Sequence, residues 1–163
     1  MLDAKIQGAF NKHLNAEFFS SYLYLSMSAY FESQSLRGMA KWMRMQAREE
    51  NVHAMKFFNF IIERKGTIAL TQIDAPPLEW SSPAAAVQAA YEHECEITGL
   101  INDLVNLAVS AKDHATNAFL QWFVTEQVEE ESSVQEIVER LRLVGDSGPA
   151  LLMVDRELGG RTS

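Results

Sequence analysis

Five side chains combine metal-binding chemistry with a spacing that turns them the same way. Glu17, Glu50, Glu94 and Glu130 are carboxylates set among apolar residues, and His53 follows Glu50 by three positions. Residues three or four apart share one face of a helix. Around Glu17 that face reads Phe10, His13, Ser20, Tyr24, Met27, Phe31. Around Glu50 it reads Met43, Gln46, His53, Phe57, Phe60. Around Glu94 it is Val87, Ala90, Ile97, Ile101, Leu104, Ala108, and around Glu130 it is Phe123, Gln127, Val134, Ile137, Leu141. Each apolar stripe is a core face interrupted by a carboxylate.

Burying an unpaired carboxylate costs several kcal/mol, and mutual repulsion adds to it. No Lys or Arg lies on these stripes near the glutamates. Two solutions remain, protons or cations. Two divalent ions balance four carboxylates, and oxygen donors with one imidazole suit iron or manganese better than a thiolate-preferring metal. A lone Glu on such a stripe is ordinarily a rim residue. Four at one height, with a His three residues from one of them, are not.

The elements that set that height are marked by Gly, Pro and capping residues. Residues 3–33 form one uninterrupted helical pattern. Ser35 is expected to cap a second helix ending near Lys65, with Gly66 closing it. Ser82–Pro83 starts a third helix reaching about Ala111. A fourth runs from His114 to Val144 and stops at Gly145, and residues 149–158 read as a short apolar fifth. By these bounds all four glutamates lie within about a turn of their helix centres, where helices of similar length meet. Most connections are short. The segment GTIALTQIDAPPLEWSS is not. At about 17 residues it spans roughly 56 Å, against roughly 42 Å for a helix of about 28 residues. It can cross a whole bundle, making the second and third helices parallel. The expected fold is all-α, a four-helix bundle with one long crossover and a short fifth helix. It is expected as one domain over 1–163, the bundle occupying about 3–144.

Composition agrees with a soluble chain: 47% hydrophobic, 22% charged, net charge −8. That charge disfavours nucleic acid as a partner and favours small cations. Neither a leader segment nor a membrane span is evident, so a cytoplasmic location is expected. One cysteine, Cys95, excludes an intrachain disulfide and a cysteine-based zinc site.

The segments NAEFFSSYLYLSM, REENVHAMKF, YEHE and EQVEEE, with the helix lengths and crossover, closely resemble the haem-free prokaryotic ferritins over nearly the whole chain. The resemblance implies a ferroxidase that oxidises Fe(II) with O2 or H2O2 at a di-iron centre. It also implies storage of Fe(III) as mineral inside a 24-mer shell of identical chains. Glu17 and His53 would hold the first iron, Glu50 would bridge, and Glu94 and Glu130 would complete the second. Gln127 stands where the symmetric version has a second Glu-x-x-His member, so the second iron would be held more loosely. Asn51 follows Glu50 where bacterioferritins place their haem methionine, so no haem is expected. Glu49, Glu126 and Glu129 match a third iron site, sharing Glu130. By spacing alone these three would be a solvated face.

Tyr24 is either a packed core tyrosine or a hydrogen-bond partner of a site carboxylate able to donate an electron. Trp122 is expected to be a buried bundle tryptophan, with electron donation the lesser reading. His13 is expected as a packed or rim residue, His93 and His114 at the surface, and Cys95 as a small buried or lateral residue. Three other classes fit less well. A passive storage subunit would lack the core ligands. A peroxide reductase of the rubrerythrin kind would carry a second Glu-x-x-His. A DNA-protecting relative builds its site between subunits.

Overall fold

The computed structural model describes residues 2–162. Five helices and no strand occur among them: α1 Ala4–Ser33, α2 Arg37–Glu63, α3 Pro83–Ser110, α4 His114–Val144 and α5 Gly148–Gly159. Four begin on a local cap. Asp3, Ser82, Asp113 and Ser147 each accept a backbone N–H from the first turn.

α2 differs from the expectation. Ser35 does not cap it but takes a left-handed turn at φ 59°, which delivers buried Leu36 to the core. Leu36 offers no side-chain cap. The open N–H of Met39 is instead bonded by Asp155 Oδ1 of α5, at 2.8 Å. This cap from another helix requires a close approach: a Cβ on Gly38 would lie 1.7 Å from the Asp155 carbonyl oxygen. At the far end of α2, Lys65 rather than Gly66 carries the positive φ, while the Gly66 N–H returns to the Ile61 carbonyl.

The crossover follows α1 as a ladder. Thr67 bonds Gln7 and Asn11, Thr71 and Gln72 bond Asn15, and the Pro77 carbonyl accepts from Ser26. Trp80 then packs edge-on against Tyr30, centroids 5.4 Å apart. The segment therefore travels the length of α1 and begins α3 at the end where α2 also begins, so α2 and α3 run parallel.

Two apolar clusters fill the bundle. One is built around Met27, Phe31, Met39, Met43, Val87 and Ile137. The other holds Phe10, Phe57, Ile61, Ile101, Leu120 and Phe123. The carboxylates form a polar layer between them.

Candidate metal centre

All four stripe glutamates are buried: Glu17 and Glu94 are 1% exposed, Glu50 2% and Glu130 7%. Glu17, Glu50 and His53 present ligand atoms within 4.8 Å of one another, and so do His53, Glu126 and Glu130. His53 Nδ1 lies 3.4 Å from Glu50 Oε2, and its Nε2 lies 3.9 Å from Glu126 Oε1. The imidazole thus stands between the two groups.

The hydrogen bonds divide the layer. Glu17 Oε2 and Glu50 Oε1 are buried and receive no hydrogen bond from an N–H or hydroxyl group. Glu94 accepts from the Tyr24 hydroxyl and from Gln127 Nε2 at 3.1 Å. Glu130 Oε2 accepts from Gln46 Nε2 at 2.8 Å. Orphaned acceptors beside an imidazole fit a cation that takes oxygen and nitrogen donors.

Proton affinities follow from burial. Glu17 is raised to about 7 by burial, with Glu130's charge adding and contacts to Glu50 and His53 opposing. Burial lifts Glu50 to about 8, Glu17's charge adding and His53 opposing. Glu130 is raised to about 7 by burial and then by Glu50. Glu94 is pushed well above the carboxylate range by burial, then by Glu50 and Glu130. Burial pulls His53 down, but its hydrogen bond to Glu50 and the surrounding carboxylates outweigh that and set it at about 9. With protein groups alone the layer retains protons, and a binding cation must displace them.

Several residues depart from expectation. His13 is no rim residue: its Nε2 lies 2.7 Å from Glu17 Oε1. Burial, reinforced by His53, lowers it to about 3. The contact is therefore a hydrogen bond with a neutral ring and not an ion pair. His93 is half-buried rather than superficial, with Nε2 2.7 Å from Ser20 Oγ and burial lowering it to about 4, because its face of α3 packs on α1. Trp122 is 40% exposed. It sits one position off the α4 stripe, covering His53 at 5.3 Å under the Lys56 ammonium. Cys95 is exposed, as is His114. Tyr24 is fully buried on Glu94.

Of the acidic trio beside the centre, Glu126 joins His53 and Glu130. Glu129 is exposed and belongs to neither group. Glu49 is held by Arg161, which donates to both its oxygens at 2.7 and 2.8 Å. The sequence offers no local sign of that contact, since Arg161 is 112 residues away. His13 carried a sign in its i, i+4 spacing to Glu17.

Residues 7–144 match the family model of the ferritin-like domain. The chain is 42% identical to a bacterial non-heme ferritin of Bacteroides fragilis, covering 99% of this chain and 100% of the relative. It is 35% identical to one of Staphylococcus aureus over 99% and 98%. Among solved structures, an open pore ferritin from the hyperthermophilic archaeon Archaeoglobus fulgidus superposes with a TM-score of 0.98, at 50% identity and 99% of each chain.

Proposed function

We propose that this chain, which belongs to the ferritin family, oxidises Fe(II) within its own bundle and stores the Fe(III) as mineral inside a shell of 24 copies. The observation that carries the reading is the pair of orphaned oxygens, Glu17 Oε2 and Glu50 Oε1, buried beside His53. Buried acceptors without donors are costly unless a cation satisfies them.

The substrate ions would be held by Glu17, Glu50 and His53 on one side and Glu94 and Glu130 on the other, with Glu50 between them and Gln127 a weaker contact. Binding expels the protons that burial keeps on the layer. Each of two ferrous ions gives one electron. O2 accepts both with two protons and leaves as H2O2, which can itself serve as oxidant. The chain supplies a water-poor pocket, fixed oxygens and charge balance, and it needs no haem. Glu49, Glu126 and Glu129, sharing Glu130, would hold a third iron ion beside the pair. Tyr24, bonded to Glu94, would steady that carboxylate.

A single ferritin-like domain over 1–163 forms the subunit. Exposed Leu70 and Leu78 on the crossover and Leu152 and Met153 on α5 support contacts with other copies. No described helix is long and apolar enough to cross a membrane; a cytoplasmic location is part of the proposal, from the ferritin resemblance.

The test adds Fe(II) in air to metal-free protein and follows ferric absorbance and oxygen uptake together. Wild type should oxidise iron rapidly, and the Glu50→Ala/His53→Ala double variant should lose most of that rate. Equal slow rates in both would overturn the assignment.

A further inference from the structure

A guanidinium reaches the carboxylate layer from outside the four-helix bundle. Arg161, after α5, donates through Nη2 to both oxygens of Glu49, and through Nη1 to Gln46 Oε1. Its charge lies 5.3 Å from the centroid of the Trp42 ring. Gln46 passes the contact inward, donating Nε2 to Glu130 Oε2 at 2.8 Å. The segment is moored at two further points, Lys41 Nζ on the Gly159 carbonyl at 2.9 Å and the Asp155 cap on α2.

Arginine only donates, whereas a primary amide has one accepting and one donating end. Docked Arg161 therefore decides which way Gln46 faces: oxygen toward the guanidinium, N–H toward Glu130. At Glu49 one guanidinium nitrogen, Nη2, occupies both oxygens, and a metal ion approaching that carboxylate meets a like charge.

We infer that Arg161 is a positioning residue and built-in counter-ion of the centre, and that its docking and cation binding at Glu49 exclude one another. The inference rests on the metal-binding reading of the buried layer. While docked, the segment keeps Gln46 donating to Glu130 and keeps Glu49 out of the ligand set. A cation arriving at Glu49 releases the segment, and its departure lets the guanidinium return.

The test uses assembled, metal-free full-length protein and Zn(II), which binds oxygen and nitrogen donors without redox chemistry. Hydrogen exchange of residues 157–162 should rise with the third equivalent of Zn(II) per chain and stay flat through the first two. Glu49→Gln should raise that exchange with no metal present. By calorimetry, Arg161→Gln should tighten the third equivalent about fivefold, the scale of one partly exposed ion pair, and leave the first two within about twofold. Arg161→Lys, which keeps the charge without the guanidinium, should fall between. Exchange indifferent to both Zn(II) and Glu49→Gln, or a third equivalent unchanged in Arg161→Gln, overturns the inference. Absence of the first two equivalents in wild type would instead sink the metal-centre reading, and the exchange of Glu49→Gln would still decide whether Arg161 holds the segment.

Discussion

The two sides of the carboxylate layer use one residue type at nearly one depth and treat it differently. On the α1–α2 side, Glu17 and Glu50 each keep a buried oxygen that receives no hydrogen bond from an N–H or hydroxyl group. On the α3–α4 side, Glu94 is met by Tyr24 and Gln127, and Glu130 by Gln46. A carboxylate already satisfied by neutral donors must share or surrender them when a cation binds, while a bare one gives up only its proton. Burial does not distinguish the sides; the donors do. The first side should fill first and hold harder, and the second should exchange its ion more readily.

The sharpest way to break the contrast is to neutralise one carboxylate on each side. Glu17→Gln should weaken the first Zn(II) equivalent by at least about 100-fold, because it takes a proposed ligand from the side that keeps bare oxygens. Glu94→Gln should leave the first equivalent within about threefold and weaken the second by about tenfold. Calorimetric titration of the metal-free protein separates the two. Equal losses from both variants would erase the asymmetry.

Next in size is a pH effect without metal. Glu17 and Glu130 at about 7, Glu50 at about 8 and His53 at about 9 all bind protons more tightly when folded. Each contributes stability that is complete below its unfolded value and lost as pH rises through the folded one. His13 at about 3 and His93 at about 4 act oppositely, but their contribution is complete above about 6.5. Between about pH 6.5 and 9 nothing in this set offsets the loss. The Tm of metal-free protein should fall across that window. Saturating Zn(II) should flatten the fall. A Tm that rises from pH 6.5 to 9 without metal would contradict the proton-laden layer.

What the sequence made legible was what local chemistry encodes. The four stripes announced the buried glutamates, because a carboxylate among Phe, Met and Ile at helical spacing has one plausible direction to face. Ser82–Pro83 and Gly145 bounded helices where expected, each acting on its immediate neighbours. Long-range choices were not legible. α2 is capped by Asp155, 116 residues from the N–H it bonds, so Ser35 looked like the cap and was not. Arg161 is as distant from Gln46 and Glu49, and packing of α5 alone brings it there. Trp122 misled because a large aromatic one step from the stripe reads as core, yet here it shields His53 from the rim.

A third and smaller effect tests the imidazole that meets Glu17. His13 touches Glu17 Oε1. His13→Leu removes that bond and leaves the carboxylate free to rotate. Supporting contacts of this kind are worth about tenfold in metal affinity, so the first equivalent should weaken by about that factor. His13→Gln, which can still donate, should recover most of it. A loss in Gln as large as in Leu would assign His13 to packing against Phe57, whose ring lies 4.5 Å away.

The smallest effect runs in the opposite direction and bears most directly on the contrast. Tyr24→Phe strips one donor from Glu94 while keeping the ring that fills the core. Without metal, losing one buried hydrogen bond should cost about 1 kcal/mol, read as a lower midpoint in denaturant. With metal, Glu94 now resembles the orphaned carboxylates across the bundle, with one competitor fewer, so the second Zn(II) equivalent should tighten by about threefold. The first equivalent should not move. If the second weakens instead, Tyr24 aims Glu94 rather than competing for it, and the looseness of that side belongs to Gln127 and Gln46 alone.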